Sequence, residues 1–437
     1  MSRRSVSRRR FLHQSAGLML GAGAFGQSTK TLGSEARRPK VAVVFTVFHA
    51  KSHAHVFLEN FLVPYLFNGS WTDSGVDVVS FYGDQFPDND ISRQVSRQFG
   101  IPIYETIDKA LCLGGKELAV DAVLSIAEHG DYPINDLHQK EYPRKRFFDE
   151  IVAVMRRSNR YVPLFNDKHL SHRWEWAKQM YDTARELGIP LMAGSSVPLA
   201  QRRPPFELPK DALIEEAVSI HGGGLESYDF HGLELLASIV EARKGGESGV
   251  TSVEFLEGEA LWQAGEEGRW SMALAKAAMA AELGRDPGPL REIPARSHGI
   301  VLTYRDGLKA SMLCFGGNGT RWNFSCRLAG DSGIMATHFH TGPWGNRNLF
   351  PAFSHAIQDH CIHERSPYPV ERTLLTTGIL EAALRSRKAQ ALLQTPYLEF
   401  AYSPRDFTAM REMGSTWKII TAKTPEPTGI ETVEIEN

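Results

Sequence analysis

The chain has 437 residues, 42% of them hydrophobic and 23% charged, the profile of a folded protein of two domains or one large one rather than of a disordered or collagenous chain. Its net charge is −2, but the first 38 residues hold eight Lys or Arg and one acid, which leaves the remainder at −9, the opposite of a nucleic-acid footprint. Four scattered cysteines (Cys112, Cys314, Cys326, Cys361) form no CxxC pair, so the core is expected to hold by burial, with free thiols.

Ser7-Arg8-Arg9-Arg10-Phe11-Leu12 reads as a twin-arginine export pattern. The weakly apolar stretch from Ser15 to Phe25 is shorter than the roughly 20 residues of a membrane span, and Ala22-Gly23-Ala24 offers a small-residue cleavage site. Residues 1–38 therefore read as signal and linker, the protein as periplasmic without a stable membrane anchor, and the twin-arginine translocase as its partner during export. That route moves folded proteins, often with a cofactor loaded, and so hints at a tightly held one. A basic disordered tail is the plainer alternative.

From residue 39 to 200, strands and helices alternate. Lys40 to Phe45 is a continuous apolar run, as expected of a strand buried on both faces. A helix is predicted from His53 to Phe67, a strand over Val76 to Tyr82, a polar helix over Ile91 to Phe99, and strands over Ile101 to Tyr104 and Val120 to Ile126. A helix over Lys145 to Arg157, a strand over Val162 to Phe165, a helix over Trp174 to Leu187 and a strand over Ile189 to Ala193 complete a Rossmann-like doubly wound parallel sheet.

The Pro-rich run Gln201 to Pro209 reads as a crossing into a second, α+β domain over residues 201–437. That domain is predicted to hold helices over Tyr228 to Arg243 and Trp270 to Leu283, then, from Gly299, a large open and mainly antiparallel sheet. Arg305-Asp306-Gly307 and Gly316-Gly317-Asn318-Gly319 read as its hairpin turns, the latter setting Cys314 opposite Arg321, and helices over Phe350 to His363 and Val370 to Ser386 close the chain.

This order of elements resembles the Gfo/Idh/MocA family of oxidoreductases over about residues 39–390. Asn166-Asp167-Lys168-His169 precedes a helix and then Gly188-Ile189-Pro190-Leu191-Met192-Ala193-Gly194, where the family has Glu-Lys-Pro and a similar strand, with the lysine in register. His231-Gly232-Leu233-Glu234 stands where the family has His-x-x-Asp, and Pro369 to Leu375 matches its closing helix. The resemblance implies an oxidoreductase acting on a carbohydrate or polyol with tightly bound NAD or NADP, Lys168 orienting the reacting hydroxyl or the carboxamide, His231 taking the hydroxyl proton, and oligomerisation through the second sheet. One departure is plain. Phe45, Val47 and Ala50 fall at the three glycine positions of a dinucleotide fingerprint, and only Ala50 is an accepted substitute.

The candidate catalytic residues are Lys168, His231, Glu234, His129 and Asp131. Lys168 sits at the tip of a buried strand, where open α/β sheets bind ligands. His231 and Glu234 lie three apart on one helix face, and Asp131 is near enough to tune His129. The candidate cofactor contacts are Thr46, His49, Ala50, Asp84, Asn166, Asp167 and His169. Plainer readings stand beside each: a loop lysine paired with Asp167, a polar turn before Pro133, a turn aspartate at Asp84, an interior histidine at His231. His338-Phe339-His340 puts two imidazoles on one strand face, a candidate sugar contact. The rival functions are a cofactor-free protein of the same fold binding a sugar or anion, and a metal-assisted hydrolase or lyase using His49, His53 and His129; for the main reading no metal is expected.

Overall fold

The computed structural model describes residues 37–293 and 297–432. The readings placed on residues 1–36, the export signal and its cleavage site, lie outside the described residues. The described residues from Pro39 onward form one compact unit built on two large sheets and a two-stranded hairpin, and no helix among them is long and apolar enough to cross a membrane.

In chain order the strands are β1 (Lys40–Phe45), β2 (Tyr65–Phe67), β3 (Ser70–Thr72), β4 (Asp77–Gly83), β5 (Ile103–Tyr104), β6 (Ala122–Ile126), β7 (Leu164–Asp167) and β8 (Leu191–Gly194), followed by β9 (Gln201–Arg203), β10 (Ile214–His221), β11 (Val250–Glu257), β12 (Ser297–Tyr304), β13 (Lys309–Phe315), β14 (Trp322–Leu328), β15 (Ile334–His340) and β16 (Leu393–Gln394). The first sheet has the order β5-β4-β1-β6-β7-β8, every pair parallel. This is the doubly wound order whose direction reverses between β1 and β6. The reason β1 reads as unbroken apolar sequence is visible in its packing: Val41, Val43 and Phe45 enter one core cluster, Ala42 and Val44 the other.

Four readings of the sequence change. The helix after β1 is His53–Leu62 and stops before Pro64, because the residue before a proline is driven into extended backbone, as Val63 is. Tyr65–Phe67 instead pairs with Ser70–Thr72 about Asn68 and Gly69, both at positive φ, a two-residue hairpin. Gln201–Arg203 is not a bare crossing but the edge strand β9, paired with β15. Gly316 to Gly319 is no hairpin turn: β10 lies between β13 and β14, parallel to the first and antiparallel to the second. Cys314 therefore faces His221, not Arg321.

The second sheet runs β16-β11-β12-β13-β10-β14-β15-β9, mainly antiparallel as expected, but with β10 and β11 absent from the sequence reading. All four cysteines are buried, and none is in a disulfide. The helix Ser227–Val240 follows β10 and packs across the second sheet, while Val370–Ala389 packs on that helix and on β8 and β11.

Candidate active site

The C-terminal tips of β6, β7 and β8 carry a polar row. Glu128, two residues beyond β6, accepts Lys168 Nζ at 2.8 Å on one oxygen and Arg144 Nη2 at 2.7 Å on the other. Burial would raise the Glu128 carboxyl, but Lys168 and Arg144, with His53 and His129, overcome it and hold it well below the usual carboxylate range. Lys168 leaves β7 in left-handed backbone, φ 61°, with its N–H on Gly194 O. For a non-glycine residue that conformation is uncommon and turns the side chain off the strand's alternation. Arg144 continues the network, donating to Asp167 O and meeting His169 Nε2 at 3.1 Å. Asp167 Oδ2 lies 2.6 Å from His53 Nδ1.

The helix Ser227–Val240 brings His231 over this row. Ser195, just past β8, bonds His231 Nδ1 at 2.6 Å and also accepts Val197 N–H. Burial, then the Lys168 ammonium and the neighbouring His53, hold the imidazole well below its ordinary value, so it is neutral at physiological pH. Nε2 has no hydrogen-bond partner among the described residues, and the ring is only half-buried. Tyr228 and Trp322 stack 5.4 Å apart at 6°, with the His231 ring edge-on to Trp322 at 5.6 Å. Glu226 caps the same helix at φ 67°, its carboxyl pushed up to about 7 by burial and then by Glu128. Strained backbone and a raised carboxyl facing His169 at 3.4 Å mark it as part of the site.

The crevice at the reversal between β1 and β6 is a different matter. Phe45 is 0% and Val47 2% exposed, and Thr46 Oγ1 donates to Glu128 O. Phe45 turns into the core against Phe48 and Phe81, while Val47 packs toward Gly130. Asp84 has both oxygens engaged: Tyr82 and Arg146 on one, Tyr132 at 2.6 Å on the other. Gln85 makes two side-chain bonds to the Asp131 backbone, at 2.8 and 2.9 Å. The loop after β6 is thus tied across the crevice, and these residues do not fit a dinucleotide seated on a glycine cradle with its ribose on Asp84.

No protein-family model matches the chain, and no curated protein matches it. Solved structures do. GenD2 from gentamicin A biosynthesis, in complex with NAD, superposes with a TM-score of 0.53 at 14% identity, over 86% of this chain and 99% of that one. Scyllo-inositol dehydrogenase from Lactobacillus casei with bound NAD(H) and scyllo-inositol gives 0.50 at 9% identity, over 82% and 99%. Myo-inositol dehydrogenase from Corynebacterium glutamicum gives 0.51 at 10%, over 82% and 99%. The chain has the Gfo/Idh/MocA fold. On that fold the two residues carried over by resemblance, Lys168 and His231, share one charged neighbourhood, the ammonium acting directly on the imidazole.

The other expected residues separate. Glu234 does not join His231: it is fully buried, accepting Thr376 Oγ1 at 2.7 Å beside Gly194. Asp131 makes no pair with His129, since its side chain is exposed and its backbone is held by Gln85. His129, φ 68°, is lowered to about 4 by burial and then by His53. Its ring lies 5.6 Å from His49 and 5.3 Å from His53, edge-on in both cases, an arrangement that packs imidazoles without converging their nitrogens on a metal. Asn166 donates to the Asp167 and His169 carbonyls, so Asn166, Asp167 and His169 brace the strand tip. Ala50 is exposed, and His49 Nδ1 is on Ala50 O. His338 and His340 do share a face, 6.1 Å apart, but His338 is held by Ala281 O and His340 lies edge-on to Trp417.

Ser195, Arg144 and Glu226 went unread. Ser195 directly follows a Gly-ended buried strand, which is a legible signal. Arg144 and Glu226 gave none, being set by tertiary contacts.

Proposed function

We propose that the chain is an exported oxidoreductase-like enzyme acting on a carbohydrate or polyol at the opening formed by His231, Ser195 and Lys168. The observation that carries this reading is the Ser195–His231 pair at 2.6 Å beside the Lys168–Glu128–Arg144 network. With Nδ1–H donating to Ser195, the neutral imidazole keeps its Nε2 lone pair for a substrate hydroxyl proton. The Lys168 ammonium, fixed by Glu128, contributes positive potential where the alkoxide develops. Tyr228 and Trp322 offer ring faces of the kind that stack on sugar C–H groups.

Oxidation also needs an electron acceptor. A nicotinamide dinucleotide serves that need by its redox chemistry, and the GenD2 and L. casei structures contain one. Here the crevice residues do not fit it in the usual seat, so the mechanism stops at recognition and deprotonation. The same filled crevice favours a second reading, polyol binding without turnover. The test uses the purified full chain: calorimetric titration with a panel of polyols and sugars, and absorbance of small molecules released on denaturation. Polyol binding lost in His231→Gln, with nicotinamide released, is expected; binding without nicotinamide supports the second reading. No binding to any member of the panel would sink both.

A further inference from the structure

Three residues far apart in sequence stand side by side across the second sheet. His298 on β12 pairs with Cys314 on β13, and Cys314 pairs with His221 on β10. Residues in register on neighbouring strands project from the same face, so one thiol is flanked by two imidazoles. All three are buried, at 6%, 2% and 0% exposure, and their donor atoms lie within 4.8 Å of one another. They form the sole group of three or more His, Cys, Asp or Glu donors converging in this way among the described residues.

A carboxylate on the helix above steadies both imidazoles without joining the converging set. Asp229, in the first turn of Ser227–Val240, places Oδ1 2.8 Å from His221 Nε2 and 2.7 Å from His298 Nε2, while Oδ2 accepts the Glu226 N–H. Burying a thiol, two imidazoles and a carboxylate together is costly unless they are compensated; one thiolate and two imidazoles are donors that a tetrahedral borderline cation takes, its fourth position left to water, and a carboxylate on the far ring nitrogens is the usual brace of such imidazoles. We propose that His221, His298 and Cys314 bind one zinc-class divalent cation, with Asp229 holding the two imidazoles in place.

Cysteine ligates as the thiolate and histidine as the neutral imidazole, so binding a divalent cation expels the thiol proton, and the thiolate together with the adjacent Asp229 carboxylate offsets the two charges of the ion. Two weak contacts of Gly223 are given up: its N–H on His221 Nδ1 at 3.2 Å and the Cys314 thiol on its carbonyl at 3.4 Å. A bound ion ties β12, β13 and β10 to the first turn of the helix that carries His231, and so fixes the position of that imidazole over Lys168. The site goes beyond the reading of polyol chemistry and does not depend on it.

The test is metal analysis of the full chain purified without chelator, followed by cobalt(II) titration of the metal-stripped protein. About one zinc-class ion per chain is expected, with a near-ultraviolet thiolate-to-cobalt band and intense tetrahedral visible bands. Cys314→Ser should abolish the thiolate band, and Cys326→Ser, on β14 two strands away, should leave it. A wild-type chain with no stoichiometric metal and no such band overturns the proposal, and so does a band that survives Cys314→Ser. The wild-type measurements decide by themselves if a variant fails to fold.

Discussion

Replacing Glu128 with glutamine isolates the electrostatic centre of the site. Its two oxygens hold Lys168 Nζ at 2.8 Å and Arg144 Nη2 at 2.7 Å, and the cations themselves are only 5% and 1% exposed. At an effective dielectric constant of about 20, each contact has a gross attraction on the order of 6 kcal/mol, most of it offset by desolvation. The amide keeps the shape and one acceptor but removes the charge, so two buried cations lose their counter-ion. Removal of one partner from a buried pair costs about 3–5 kcal/mol, and that is the expected loss for Glu128→Gln, measured by urea unfolding followed through tryptophan fluorescence. Adding Lys168→Met should recover part of the loss, since it removes one stranded charge, so the two changes together cost less than their sum. The pH dependence has a definite sign. A carboxyl held below its ordinary value of 4.5 contributes its stability fully above that value and loses it only as pH falls through the lower folded value. A Glu128→Gln loss under about 1 kcal/mol at neutral pH, or a double variant as damaged as the sum of the two, would refute the picture of a cation-sharing carboxylate.

Glu226 has the opposite sign. Its carboxyl is raised from 4.5 to about 7, so folding stability should fall as pH rises across that window, by up to ~3 kcal/mol, and Glu226→Gln should flatten the slope in thermal melts taken from pH 4 to 8. His231→Gln is expected to lower turnover of a polyol substrate by about 10²–10⁴-fold with circular dichroism unchanged; a tenfold loss or less would remove it as the base. A methyl group at Gly378 would run into Leu398 and come 2.8 Å from the Trp174 ring, so Gly378→Ala should cost ~1–3 kcal/mol by overpacking, seen as a lowered Tm.

The parts of the fold legible in the sequence are those whose pattern has one physical cause. Lys40–Phe45 is apolar on both faces because both faces are covered, and Trp174–Leu187 carries a helical period ended by Gly188 at φ 67°. The hairpin at Asn68 and Gly69 was overrun because Tyr65, Leu66 and Phe67 extend the apolar content of the helix before them, while the proline and Asn-Gly signals point the other way. The crossing from β13 to β14 misleads for a different reason: its glycines allow a tight turn, yet the chain passes over the end of β10, where Gly222 leaves room for the Asn318 backbone that a Cβ would fill. Spacing on a helix has the same limit. His231 and Glu234 are three apart, but almost every residue of this helix from Phe230 to Val240 is buried, so neighbouring directions face different partners, Ser195 for one and Thr376 for the other. The row His298, Cys314, His221 spans three strands and is set by register alone, which no local pattern encodes.

The site divides along the sheet. Doubly wound sheets open a crevice where the strand order reverses, because the loops on either side run in opposite directions. Here the loop after β6 turns back, with His129 and Gly130 at φ 68° and 98°, and is secured by two Gln85 bonds to backbone and by Tyr132 on the Asp84 carboxylate. Neutral bonds contribute roughly 1 kcal/mol each and a charge-assisted one about 1.5–3, so displacing the loop costs on the order of 4 kcal/mol. That is about a thousandfold in the affinity of any dinucleotide entering there, before Phe45 and Val47 leave their packing. Two strands along, at the tips of β7 and β8, Lys168 is held by Glu128, and Ser195 holds the half-buried, neutral His231. In the proposed reading these residues make the substrate half of an alcohol-oxidising site, while the region of the nucleotide half is filled by the protein's own side chains. On that reading an electron acceptor has either to lift the Gln85–Asp131 tie or to reach the substrate from the side of the second sheet.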